Sequence, residues 1–258
     1  MTKFIVIASS KGGVGKTTTA INLGTALTLF GKDVVVVDCN MNTPNVSLYL
    51  GAASVPVTLH DVLNKNKKIT DAMYMHSHGL KIIPASNSIK ERGKIDYERL
   101  TRILKDLSGK ADYIIIDSSA GVGEGAISSM KMADELLVVS TPELPAVADA
   151  LKTMKLAKEH NKNVRGVILT RAYEDELELS RSDVEAMLET KVIAIIPEDE
   201  TMREAVKMKN PVMHTHPNSP ASLGYKKLAS ELIGEKYVES IEKDESSFDM
   251  FMKKLGLK

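Results

Sequence analysis

Ser10-Lys11-Gly12-Gly13-Val14-Gly15-Lys16-Thr17-Thr18 is the stretch of this sequence whose residue types and spacing most directly suggest chemistry. Its glycines let backbone amides curl around a phosphate chain, Lys16 supplies a point charge for the β and γ phosphates, and Thr17 offers a hydroxyl to Mg²⁺. Gly12, Gly13, Val14, Gly15, Lys16, Thr17 and Thr18 are therefore the candidate phosphate-binding residues. The strict GxxxxGK[ST] pattern asks for glycine where Ser10 stands, and the loop opens instead with an additional lysine, Lys11. Asp38 and Asp117 each close an apolar run, at the strand ends where open α/β sheets hold ligands. Beside a phosphate loop they read as metal and water positioners, Asp117 holding Mg²⁺ through water, so the candidate metal residues are Thr17, Asp38 and Asp117. Gly121, Gly123 and Gly125 follow as a flexible switch that senses the γ-phosphate.

Such residues act only if strands and helices hold them, and the sequence supplies both. Short β-branched runs at 3–9, 34–38, 80–85, 113–117, 136–141, 167–170 and 192–197 alternate with segments of helical period. Runs without polar alternation are strands covered on both faces, as crossover helices produce. The expected fold class is α/β: a doubly wound, mostly parallel sheet with helices on both faces. Ala20, Leu23, Leu27 and Phe30 mark a helix that stops at Gly31, and Leu144 to His160 a second. Ser182 with Glu185 reads as the capping box of a third. No repeat or linker divides the chain, which is expected to form one domain over 1–237, followed by a charged linker and amphipathic tail over 238–258.

Composition narrows the function. The chain has 258 residues, 43% hydrophobic and 26% charged, with 34 Lys+Arg against 34 Asp+Glu, so no global field draws it to nucleic acid or membrane. Aromatics are 4% with no Trp, which argues against a base-stacking platform. The single cysteine, Cys39, excludes an internal disulfide and a cluster held by a pair of cysteines in one subunit. No apolar run reaches the roughly 18 residues of a spanning helix, and the N-terminus opens directly as a strand. A cytoplasmic protein is expected.

KGGVGKTT at 11–18, VVVVDCN at 34–40, NVSL at 45–48, IIIDSSAGVGEGA at 114–126, STPELPAVADALK at 140–152, LTR at 169–171 and IPED at 196–199 together resemble the MinD/ParA family of dimerising ATPases, most nearly its membrane-associated MinD branch. The resemblance spans nearly the whole chain and implies a slow ATPase, stimulated by an unknown protein effector. It implies a face-to-face dimer formed on ATP, with Lys11 reaching the nucleotide of the other subunit. Lys11, Lys16, Asp38 and Asn40 are then the catalytic set, ATP/ADP and Mg²⁺ the cofactors, and Thr170, Arg171, Pro197, Glu198 and Asp199 the surroundings of adenine and ribose. The sequence departs from the family at Asp38-Cys39-Asn40, where D-x-D is usual. An amide at that position can orient water but cannot accept its proton.

At 100° per residue, Phe248, Phe251, Met252 and Leu255 fall within an arc of about 100°, with Lys253 and Lys254 opposite. This segment reads as an interfacial membrane helix, and MinD relatives carry a targeting helix here. The expected location is therefore cytoplasmic, and peripheral at the inner face of the cell membrane in the ATP state. The competing reading is a DNA-partitioning ATPase with Lys152, Lys155 and Lys158 on one helix face; neutral composition and the apolar tail argue against it. His76 with His78, His214 with His216, the acidic run 174–178 and the basic cluster Lys65, Lys67 and Lys68 read as polar loops or solvated faces.

Overall fold

Alternate residues of each central strand enter two separate apolar layers, which accounts for the uninterrupted apolar runs. In β1 (Lys3–Ala8), Phe4, Val6 and Ala8 belong to one layer and Ile5 and Ile7 to the other. The computed structural model describes residues 1–52, 54–65, 67–88, 95–173 and 175–235. The boundary near Tyr237 and the tail residues Phe248, Phe251, Met252, Lys253, Lys254 and Leu255 lie outside the described residues.

The remaining strands are β2 (Val34–Asp38), β3 (Tyr74–Met75), β4 (Lys81–Ile83), β5 (Tyr113–Asp117), β6 (Glu135–Ser140), β7 (Val164–Ala172) and β8 (Val192–Pro197). They form one sheet in the order β3-β4-β2-β5-β1-β6-β7-β8, parallel throughout except for the β3–β4 edge pair. The helices are α1 (Lys16–Leu29), α2 (Val46–Tyr49), α3 (Leu59–Lys65), α4 (Tyr97–Lys105), α5 (Glu124–Met132), α6 (Leu144–Glu159), α7 (Arg181–Leu188), α8 (Glu200–Lys207), α9 (Val212–Thr215) and α10 (Pro220–Ile233). Helices α3 to α7 cover one face through Leu59, Leu100, Met130, Val147 and Val184. The other face is covered by α1, α2, α9 and α10 through Ile21, Val46, Met213 and Tyr225. This is the expected doubly wound α/β fold.

Central α1 lies close against the sheet. A Cβ added to Gly24 would stand 2.8 Å from Val36 Cγ2 and 3.1 Å from Leu80 Cδ1, so only glycine allows this approach. At its end Gly31, with φ +74°, turns the chain toward β2. No helix among the described residues is long and apolar enough to cross a membrane.

One local expectation needs correction, and one edge strand has no counterpart in the sequence reading. The capping box of α7 is Ser180 with Asp183: Asp183 N donates to Ser180 Oγ at 3.2 Å and Ser180 N to Asp183 Oδ2 at 3.1 Å. Glu185 instead accepts Val192 N at 2.8 Å and Arg181 Nε at 3.2 Å, which fastens α7 to β8. The antiparallel edge strand β3 is the second difference, too short to carry a periodicity.

Candidate nucleotide site

The carboxyl end of β1 runs directly into the glycine loop, and the loop into α1. Gly13 and Gly15 hold φ of +82° and +92°, a left-handed conformation that any side chain would strain. The loop is tied to β7 from behind, where the Thr170 hydroxyl donates to Val14 O at 2.7 Å. Lys16 is buried and its Nζ donates to Ser9 Oγ at 3.0 Å. Burial lowers its pKa below the usual lysine value, and the Asp117 carboxylate opposes that effect. Lys11 behaves differently. Its side chain is 41% exposed, and its Nζ lies 3.5 Å from Oε2 of a still more exposed Glu143, a pairing too solvated to hold it firmly.

Asp38 and Asp117 stand side by side, as Cα partners on β2 and β5, and both are fully buried. Thr17 Oγ1 donates to Asp117 Oδ2 at 2.5 Å, while Asp117 Oδ1 is buried with no hydrogen-bond partner. Asp38 accepts Asn40 N at 3.1 Å through Oδ1, and Asn45 N at 2.9 Å and Val46 N at 3.0 Å through Oδ2. Burial pushes Asp38 up to about 8, aided by the neighbouring Asp117 charge and opposed by those three amides. Burial also raises Asp117, to about 6, against the Thr17 hydrogen bond and the Lys16 charge. Two adjacent buried carboxylates with one unsatisfied oxygen suit a hard divalent cation. Thr17 and Asp117 are the residues that could hold Mg²⁺, whereas Asp38, also expected among the metal residues, accepts three backbone amides of the loop that follows β2.

Within that loop the Asn40 side chain is engaged at both ends: Nδ2 donates to Thr43 O at 2.6 Å and Oδ1 accepts the Thr43 hydroxyl at 3.0 Å. The loop after β5 rests on the phosphate loop, with Gly121 N donating to Ser9 O at 3.0 Å.

Beyond Gly15 and Thr18 opens a cavity of about 350 Å³ that contains Thr170, Arg171, Pro197, Glu198 and Asp199, so the residues expected around the base do converge. Arg171 holds φ +54° where the register between β7 and β8 shifts, and its Nε lies 3.9 Å from Glu198 Oε2. Asp199 lines the cavity, but its carboxylate serves the scaffold. It accepts Thr201 N at 2.9 Å and Thr201 Oγ1 at 2.6 Å, capping α8, and Ala221 N at 3.0 Å in the first turn of α10. Met202, Arg203, Val206 and Tyr225 line it as well. Sequence reasoning misses these four, since they come from α8 and α10 and belong to no motif.

The family model ParA, described as NUBPL iron-transfer P-loop NTPase, matches residues 1–233. The septum site-determining protein MinD of Pyrococcus horikoshii, solved with Mg-ADP, superposes with a TM-score of 0.85 at 35% identity, over 90% of this chain and 96% of that one. The chain belongs to the MinD/ParA family of P-loop NTPases. Among MinD/ParA relatives, an uncharacterized ATP-binding protein of Methanocaldococcus jannaschii is 37% identical over 95% of this chain and 92% of its own length. The septum site-determining protein MinD of Thermotoga maritima is 34% identical over 91% and 89%. Nucleotide and Mg²⁺ binding are general properties of this family of P-loop proteins. Iron transfer finds no cysteine pair here, because Cys39 is the single cysteine of the sequence and is buried.

Proposed function

We propose that this chain is a MinD-like ATPase that dimerises on ATP and binds the membrane surface reversibly, acting in spatial regulation of cell division or in positioning, with turnover stimulated by a protein effector. The contrast between its two loop lysines carries the reading: Lys16 is buried against Ser9, whereas Lys11 is exposed at the loop edge with only a solvated carboxylate beside it. A lysine so placed is free to leave Glu143 and neutralise phosphate charge on a second copy. Within one subunit, Lys16 and the amides of the loop bind the β and γ phosphates, the backbone around Thr170 and Pro197 orients the base, and Asn40 orients the attacking water. Thr17 and Asp117 would hold Mg²⁺, which when bound would neutralise phosphate charge.

Replacing Lys16 with Ala should abolish binding of a fluorescent ATP analogue. Lys11→Ala should bind it with near-native affinity yet fail to dimerise in light scattering with ATP. A normal ATP dimer of Lys11→Ala would defeat the proposal. Lys152, Lys155 and Lys158 are exposed along α6, with Lys152 held by Asp149 at 2.7 Å. A salt-sensitive, ATP-dependent shift of DNA would favour the partitioning function instead.

A further inference from the structure

The buried face of α6 consists of Ala146, Val147, Ala150, Leu156, Ala157 and a single polar residue, Thr153. A hydroxyl on such a face costs free energy unless it is hydrogen-bonded. Mid-helix threonines elsewhere in the molecule return theirs to the preceding turn, Thr25 to Ile21 O at 2.8 Å and Thr101 to Tyr97 O at 2.9 Å. Thr153 points away from its own helix instead: its Oγ1 is hydrogen-bonded with Ser10 Oγ at 2.6 Å. Ser10 stands where the strict phosphate-loop pattern has glycine, immediately before Lys11. A second hydroxyl holds the same stretch, with Ser9 Oγ donating to Lys11 O at 2.7 Å. Past Lys11 the packing ends, since a Cβ added to Gly12 or Gly13 would meet no atom within 4 Å. The Lys11 backbone is therefore tied down from its N-terminal side, while its side chain meets only the solvated Glu143 that precedes α6.

We propose that Ser10 and Thr153 are a positioning pair: their hydrogen bond fixes the Lys11 backbone against α6, so that the Lys11 side chain leaves Glu143 from one fixed point to reach the phosphates of a second copy. This rests on the second-copy function proposed above for Lys11. A glycine at position 10 offers no hydroxyl to α6, and ordering the loop would then add to the cost of association; a loop already held in place avoids that cost.

Thr153→Val keeps the shape of the side chain and deletes its hydroxyl, whereas Thr153→Ser keeps the hydroxyl and deletes a methyl. Both should bind a fluorescent ATP analogue within about twofold of wild type, because Lys16 and the loop amides are untouched. In light scattering with ATP, the protein concentration giving half dimer should rise about fivefold in Thr153→Val, the scale of one hydrogen bond, and stay within about twofold in Thr153→Ser. A role in packing alone reverses that order and overturns the pair. Ser10→Ala removes the same bond from outside the core, so the test stands even where Thr153→Val fails to fold. It should weaken the dimer as Thr153→Val does, and the double variant no further, because one contact is lost in all three. Losses that add, or dimers of wild-type strength in both single variants while Lys11→Ala fails to dimerise, would overturn the pair alone. A normal ATP dimer of Lys11→Ala, or a wild type that stays monomeric in ATP, would remove the second-copy function and the pair with it.

Discussion

At Asn40 the family's second carboxylate is replaced by an amide whose two ends are both bonded to Thr43. An aspartate there would keep the acceptor for the Thr43 hydroxyl, give up the donor to Thr43 O, and gain the ability to take a proton from water. Asn40→Asp should therefore raise single-turnover ATP hydrolysis and shorten the lifetime of the ATP dimer, with general-base contributions of roughly 10² to 10⁴ as the upper range. Rapid-quench measurement of one turnover decides it, and an unchanged rate would mean that the amide already positions water as well as a carboxylate does. Asp38 is a poor substitute base, because it is fully buried and held by the amides of Asn40, Asn45 and Val46.

Among the elements, α1 is the one whose packing fixes the phosphate loop, and Gly24 is where it presses on β2. Gly24→Ala gains about 0.5–1 kcal/mol in helix propensity. Against that stands overpacking of roughly 1–3 kcal/mol, because Val36 and Leu80 are side chains of a close-packed central layer. The variant should melt a few degrees lower, at about 2–4 °C per kcal/mol, and bind nucleotide more weakly as the loop shifts; calorimetry with and without Mg·ADP measures both. Elements of this kind are legible in the sequence where one signal dominates. All seven parallel strands show as apolar runs, because burial on both faces leaves no polar alternation to confuse them. The start of α7 lies two residues before its expected place, since Ser180 with Asp183 and Ser182 with Glu185 have the same spacing and only the pairing of Glu185 with β8 separates them. The phosphate loop and the ends of β2 and β5 can be read because chemistry there demands particular residue types. Met202, Val206 and Tyr225 cannot, because the wall of such a cavity needs only bulk, and many side chains supply it.

For the molecule as a whole, the proposed membrane switch turns on how many tails act together. A fully buried Phe, Met or Leu is worth about 1.5–3 kcal/mol. Side chains at a lipid interface are only partly buried, and ordering each residue costs about 1–2 kcal/mol, so a single tail binds weakly. In the proposed dimer two tails would make the second insertion intramolecular, a gain of about 10² to 10⁴. Pelleting with anionic liposomes should be strong in ATP and weak in ADP. It should be lost on truncation before Ser246 and in Phe251→Glu, with nucleotide binding intact in both. Pelleting that ignores nucleotide or survives truncation would sink the membrane switch. Exchange of nucleotide then acquires a direction from Asp199. One carboxylate rivets the start of α8 to the start of α10, so the cleft cannot widen at its base end by moving either helix alone. At the phosphate end Ser10 Oγ is hydrogen-bonded with Thr153 Oγ1 of α6 at 2.6 Å, and Lys11 forms only a solvated pair with Glu143. In the proposed dimer that end is covered by the second subunit, and the residence time of ADP becomes a clock set by subunit separation.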